Sequence, residues 1–259
     1  MKAYSFSIKG RRQNNEDYLS YDKHLYVLCD GIGGQIKGEI ASRLITHYLI
    51  KIKGEKPLPF YNKEDVQDYI GTAQMLLNIQ LEKHPEDAGM GTTLTAVFVS
   101  HERLYLAHIG DSRIYLIKPS EGLYWRTWDH SEVAAMVKMG MLTEKEAENH
   151  PMKNLITRAI VANDQNEITQ ADITCADNIE TGDILLLCSD GVLEAFSEKE
   201  LLQTLSDPQS TTQDKFERIK DHCDKNSNDN SSAILIEIEK DDAFHHGDNR
   251  ELDFRRISI

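Results

Sequence analysis

Between Thr92 and Trp128 the chain reads "TTLTAVFVSHERLYLAHIGDSRIYLIKPSEGLYWRTW", a β-rich stretch cut by turns near His101-Glu102, Gly110-Asp111 and Ser120-Gly122. Strands joined by turns this short must lie antiparallel, because a parallel crossover needs a dozen residues or more. This run therefore excludes a doubly wound parallel sheet built from alternating βαβ units. Further strands are expected at "AYSFSIKG", "HLYVLCD", "EITQADITC", "GDILLLCSD" and "SAILIEIE". Helical spacing of Ile40, Leu44, Ile45, Tyr48 and Leu49 predicts a helix from about Gln35 to Lys53, and Val66, Tyr69, Ile70, Ala73, Leu77 and Leu81 predict a second from about Asn62 to Lys83. The intervening "KGEKPLPFYNKED" is a loop, with Pro57 and Pro59 excluding regular structure.

Later helices carry their own start signals. Asp129 and Glu132 stand in capping-box relation with Gly140 closing the helix, and Thr143 and Glu146 repeat the device before Pro151. Two more helices are expected over Glu198 to Leu205 and Thr211 to Lys225. Strand groups separated by helix pairs fit an α+β fold, a four-layer α/β/β/α sandwich of two stacked antiparallel sheets. Residues 1–239 are read as one domain and the polar, aperiodic residues 240–259 as a mobile tail.

Formal net charge is −14, which opposes nucleic acid and anionic membranes as partners. Cys29, Cys175, Cys188 and Cys223 form no C-x-x-C pair, so reduced thiols are expected rather than a disulfide framework or a zinc site. No apolar run approaches the roughly 20 residues that span a bilayer, and the N-terminus lacks the pattern of a signal peptide. A cytoplasmic, monomeric protein is the expectation.

Two core strands break their apolar pattern in the same way: "YVLCDGIGG" and "LLLCSDGV" each deliver an Asp-Gly pair, Asp30-Gly31 and Asp190-Gly191. Glu16-Asp17 in "RRQNNEDYL", Asp111 in "HIGDSRIYL" and Asp229 in "NSNDNSSAILIE" also sit at strand ends or turns. Asp-Gly commonly marks an ordinary turn, and spacing alone does not bring these residues together. If they converge, two carboxylates about 4 Å apart repel by roughly 4 kcal/mol at an effective dielectric of about 20, and cations must compensate. An all-oxygen donor set suits Mg²⁺ or Mn²⁺. Glycines would then let backbone approach the metal and its waters.

Taken in order, "GRRQNNED", "DGIGG", "GMGTTLTAVFV", "HIGDSRIYLI", "WDHSEVAAMVKMGMLTEKEAENHP", "LITRAI", "GDILLLCSDGV" and "NDNSSAILIEI" resemble the metal-dependent serine/threonine phosphatases of the protein phosphatase 2C family, in their compact bacterial form. The resemblance spans nearly the whole chain. It implies that Asp17, Asp30, Asp190, Asp229 and the Gly31 carbonyl ligate two Mn²⁺ or Mg²⁺ ions bridged by a water or hydroxide, with Glu16 acting through a water. It implies that Arg12 grips the substrate phosphate, and that Asp111 serves a weaker third ion shared with Asp190. Four residues past Asp190 the family often has Asp; here Glu194 stands there, a longer carboxylate with the same reach open to it. Eukaryotic members carry a histidine where this chain has Ile32, so no side chain at that position supplies a proton to the leaving group. Residues 131–162 correspond to a flap beside the active site. The implied activity is hydrolysis of phosphoserine and phosphothreonine in proteins modified by a bacterial-type kinase.

Other candidates divide between chemical and packing roles. Met136, Met139 and Met141 in the flap offer an adaptable contact or, by default, helix core. Arg113 is expected to hold the Asp111 turn by an ion pair, and Thr92 and Thr93 to pack beneath the metals. His130 and His150 shuttle protons or, more ordinarily, satisfy caps and core. Trp125 and Trp128 default to core packing. "RRISI", Arg255 to Ile259, resembles a basophilic kinase substrate or an inhibitory peptide for the Arg12 pocket; a chance match predicts that truncation before Lys240 leaves activity unchanged. Rival functions are a silent phosphoprotein-binding regulator, a small-molecule phosphomonoesterase and a two-metal phosphodiesterase or nuclease, the last disfavoured by net acidity.

Overall fold

A computed structural model describes residues 1–32, 37–53, 62–148 and 150–258. Most of the loop expected at "KGEKPLPFYNKED" and the glycines after Ile32 lie outside the described residues. The helices are α1 (Gly38–Lys53), α2 (Lys63–Lys83), α3 (Glu132–Lys138), α4 (Glu144–Glu148), α5 (Asp190–Ala195), α6 (Glu198–Ser206) and α7 (Thr212–Asn226). None of them is long and apolar enough to cross a membrane.

One antiparallel sheet runs in the order Lys2–Ile8, Ser231–Glu237, Ile184–Cys188, Arg113–Lys118, Leu123–Arg126, Arg255–Arg256. The other runs Asp172–Ala176, Leu104–Ile109, Leu94–Val99, Leu25–Ile32, Gly91–Thr92, Ile160–Val161, with Asp17–Tyr21 also paired to Leu25–Ile32. The two-residue side-chain period of a strand sorts these residues into three apolar layers. Leu25, Val27 and Cys29 face α1 and α2, in a core that includes Ile45, Leu49, Ile70 and Leu77. The alternate residues Tyr26 and Leu28 meet Leu185, Leu187, Ile234 and Ile236 of the other sheet. On that sheet's far side Ile184, Leu186 and Cys188 pack with Leu201, Phe216 and Ile219 of the C-terminal helices. Three cores between four layers are the α/β/β/α sandwich read from the sequence. All four cysteines are free and buried.

Several local expectations are corrected. The cap of α3 is Ser131, whose Oγ accepts from the Ala134 N–H, while Asp129 is taken up by Arg113. Met139 and Met141 are 68% and 67% exposed, not helix core, because α3 ends at Lys138 and Gly140 turns the chain at φ +72°. Trp125 is buried between the sheets, but Trp128 lies beyond the strand end at Arg126 and is only half-buried.

The segment expected to be a mobile tail is packed. Phe244–His245 pairs with Asn178–Ile179, and Arg255–Arg256 adds an edge strand to Leu123–Arg126. Asn249 accepts from the Asp177 and Asn178 N–H groups at 2.7 and 2.8 Å, and Leu252 is buried. Leu252, Phe254 and Ile257 are too sparse to show periodicity, yet a sheet edge offers unpaired backbone groups to a segment of almost any composition.

Candidate metal centre

Strand pairing brings the first two acids together. Asp17 opens its strand directly opposite Asp30 in the neighbouring one. From the other sheet, Asp190 opens α5 one residue beyond Ile184–Cys188, after Ser189, and Asp229 sits just before Ser231–Glu237. Those two strands are hydrogen-bonded neighbours, so their ends emerge together above Asp17 and Asp30. Asp30 lies within hydrogen-bonding reach of both Asp17 and Asp190, and Asp190 feels the charges of Asp111, Asp229 and Asp17. The acids of the two Asp-Gly pairs thus meet, one from each sheet.

Loss of solvent is the main force on these carboxyls. Burial pushes Asp17 up to about 6, and burial with the neighbouring Asp129 pushes Asp111 to about 6. Burial plus the charges of Asp111, Asp229 and Asp17 takes Asp190 to about 8. Asp30 is driven well above its ordinary range, first by burial and then by Asp17 and Asp190. Protein partners satisfy the cluster only in part: Ser189 Oγ donates to Asp17 Oδ2 at 2.8 Å, but among the described residues nothing donates to the buried Asp17 Oδ1. A buried acceptor without a donor costs roughly 1–3 kcal/mol, and a hard cation would satisfy it. The donor set therefore fits divalent metal ions.

Residues the sequence reading passed over hold the site in shape. The buried Asn230 side chain accepts from the Glu16 N–H at 2.8 Å and donates to the carbonyls of Lys9 and Asn14, pinning the N-terminal loop to the Asp229 loop. Its only signal was its place after Asp229. Thr93 Oγ1 accepts from the Asp30 N–H, and Thr92 Oγ1 donates to the Asp30 carbonyl, which bears out their place beneath the acids. The glycines also make room for other backbone: a Cβ on Gly31 would strike the backbone of Gly38, and one on Gly191 the carbonyl of Asn230.

Arg12 is exposed at the cleft mouth and donates to Asp229 Oδ2 at 2.5 Å. Glu194 is otherwise engaged: it accepts from Ser227 Oγ, from Asn228 Nδ2 and from the backbone N–H groups of Asn228 and Asp229. That set of bonds makes it the clasp of the loop carrying Asp229. Arg113 pairs with Asp129 through two bonds of 2.6 and 2.8 Å, not with Asp111. The turn at Asp111 is held instead by His130, whose Nδ1 accepts from the Gly110 N–H and whose own N–H donates to the Gly110 carbonyl.

His130, His108 and Asp172 place ligand-type atoms within 4.8 Å of one another. Nδ1 of His130 accepts the Gly110 N–H, and its Nε2 lies 3.2 Å from Asp172 and 3.1 Å from Arg158 Nη1, so both ring nitrogens already have partners within the protein.

A cleft of about 480 Å³ opens beside the acids, lined by Arg12, Asp111, Asp190 and Asp229 at one end and by Val133, Val137, Glu144 and Lys153 along a wall.

Comparison with known proteins agrees with this geometry. The pattern described as protein phosphatase 2C matches residues 9–232. The serine/threonine protein phosphatase PstP of Mycobacterium tuberculosis is 36% identical over 199 residues, 76% of this chain; the chain spans 37% of that relative's length. Protein phosphatase PhpP of Streptococcus pneumoniae is 31% identical over 243 residues, covering 90% of this chain and 95% of PhpP. Among solved structures, Stp1 of Staphylococcus aureus superposes with a TM-score of 0.81 at 30% identity, over 92% of this chain and 95% of the other. The PstP catalytic domain, solved in complex with two manganese ions, gives 0.78 at 29% identity, over 92% and 98%. With its family pattern matched over most of its length and its acids converged between two stacked sheets, the chain belongs to the protein phosphatase 2C family.

Proposed function

We propose that the chain is a metal-dependent phosphatase that hydrolyses phosphoserine and phosphothreonine in proteins, in the cytoplasm, reversing a bacterial-type kinase. The observation that carries this reading is the convergence of Asp17, Asp30, Asp190 and Asp229 beside Arg12, with one buried Asp17 oxygen lacking a donor among the described residues.

Asp17, Asp30, Asp190, Asp229 and the Gly31 carbonyl would hold two Mn²⁺ or Mg²⁺ ions, with Glu16 reaching them through water. Asp111 would share a third ion with Asp190; Glu194, committed to its loop, would act by keeping Asp229 in place. Bound there, such ions offset the carboxylate charge and lower the pKa of water towards neutrality, which supplies a nucleophile for direct hydrolysis.

The chain's own residues supply placement. Arg12 presents a planar fork that grips two phosphate oxygens, and Asp229 holds it charged and aimed at the acids. Ser189 fixes Asp17, and Asn230 keeps Glu16 in register with Asp229. The cleft beside Arg12 leaves room for residues flanking the phosphorylated one.

The test is phosphate release from a phosphothreonine peptide with Mn²⁺, with Mg²⁺ and with excess chelator. Turnover that requires the metal and stops with chelator supports the proposal. No turnover at any metal concentration removes it.

A further inference from the structure

The cleft wall opposite Arg12 is held by an unusual group of charges around Trp128. The guanidinium carbons of Arg126 and Arg255 lie 4.8 and 4.9 Å from the indole centre, and Lys138 Nζ lies 5.6 Å from it. Each cation is attracted by the ring, but together they repel one another. Glu144 resolves this by accepting from Arg255 Nη1 at 2.7 Å and from Arg126 Nη2 at 3.1 Å. The four charges come from four elements: the end of the Leu123–Arg126 strand, the last turn of α3, the first residue of α4 and the C-terminal strand.

Helix α4 is capped locally, with Thr143 and Glu146 bonded to each other in both directions, but lacks a buried face. It is five residues long and buries none of them. The C-terminal strand, by contrast, is anchored: Arg255 stands opposite Tyr124, the Ile257 N–H donates to the Gly122 carbonyl at 2.9 Å, and Ile257 packs on the outer core. Arg255 therefore ties a firmly held strand to a helix without a core of its own. Trp128 and Glu144 line the same cleft as Arg12, Asp190 and Asp229. The family pattern matches residues 9–232, which lie before this strand. The first arginine of "RRISI", Arg255, is committed to Glu144 and Trp128, which argues against an inhibitory peptide waiting for the Arg12 pocket.

We propose that the C-terminal strand, through Arg255, braces the α3–α4 wall of the cleft and so sets affinity for phosphoprotein substrates without touching the chemical step. The kinetic half of this inference rests on the phosphatase reading; the brace itself does not. Arg255 is a positioning residue, because its contacts are with the wall and not with the acids or Arg12.

The experiment compares the full chain with Arg255→Ala, Arg255→Lys and a chain ended after Asp253. Backbone hydrogen exchange is followed over 141–148, and kinetics are measured in Mn²⁺ on a phosphothreonine peptide and on p-nitrophenyl phosphate. For Arg255→Ala, exchange in α4 should accelerate about tenfold. The peptide KM should rise about three- to tenfold while kcat on either substrate stays within about twofold. The truncated chain should match it, and Arg255→Lys, which keeps a cation for Glu144 and the ring, should recover part of the loss. Unchanged exchange and unchanged peptide KM in Arg255→Ala would overturn the brace, as would an equal fall in kcat on the small substrate. If the wild type turns over neither substrate, the phosphatase reading fails, and exchange alone decides: faster exchange in the variant upholds the brace, no change rejects it.

Discussion

Two groups of charges border the same cleft and have opposite fates. Asp190 and Asp129 are both partly buried aspartates. Burial, with Asp111, Asp229 and Asp17 as neighbours, pushes Asp190 up to about 8. Burial pushes Asp129 upward too, but Arg113, with help from Arg126, more than reverses it and holds Asp129 below the usual carboxylate range. Around Asp129 the ledger is balanced within the chain: Arg113 serves Asp129, and Arg126 serves Glu198 at 2.5 Å and Glu144 at 3.1 Å. Around Asp190, among the described residues, carboxylates outnumber cations, and Arg12 pairs with Asp229. Burial alone does not make a functional carboxylate; the count of compensating cations does. An unbalanced cluster is stable only with charge brought from outside.

The contrast can be attacked from its strongest side first. Asp190→Asn should lower phosphate release about a thousandfold or more by removing a ligand charge. The same change should raise the melting temperature of the chelator-treated protein, because it relieves repulsion. A metal-free variant that melts below the metal-free wild type would break the comparison.

The second expectation concerns pH. Asp17, Asp111 and Asp190 have folded values raised above the ordinary 3.8, to about 6, about 6 and about 8. A raised value means that the folded state binds protons the unfolded state has released. The contribution is therefore fully present below about pH 4 and is lost as pH rises through 6 to 8. Metal-free protein should melt progressively lower across that window in thermal scans, and added Mn²⁺ should reverse the trend. A flat profile would mean that the cluster finds compensation within the chain.

In the balanced group, Arg113→Met should cost about 3 kcal/mol of folding free energy in denaturant titration, since it strands Asp129 beside the core. Adding Asp129→Leu should return most of that cost, because the stranded charge goes with it. Failure of the double variant to recover would show that the pair is not self-contained.

The smallest effect is expected at His108. Burial and then His130 lower its imidazole from 6.5 to about 4. Its folded value lies below the unfolded one, so its contribution is present above pH 6.5 and is lost as pH falls towards 4. His108→Gln should flatten that acid limb by a few degrees of melting temperature. Its sign is opposite to that of the metal-free acids, which separates the two groups in one pH series.

Much of this site was legible before folding. The Asp-Gly pairs stood out because each interrupts an apolar run, and a run of "LLLC" ending in a carboxylate is a local signal. Ser189 and Asn230 gave no such signal, since a serine and an asparagine in polar loops look like any others until the partner 172 or 214 residues away is known. The partner of Arg113 was misassigned for the same reason: Asp111 is near in sequence, but Asp129 is the one its guanidinium meets. The packed tail was missed because edge pairing asks for backbone groups, which every residue carries.

The main strands and longer helices, their order up to residue 239, and the chemistry carried at each strand end follow from neighbours within a turn or two, and the sequence alone determined them. Which carboxylates are compensated depends on approaches of a few ångströms between residues far apart along the chain. In sequence Asp129 reads as a helix cap and Asp190 as the break in an apolar run, and neither reading names the cation that would meet it. Coulomb interactions fall with distance through a medium whose polarity the fold itself creates, so only the tertiary structure decided that one would be paired and the other left to a metal.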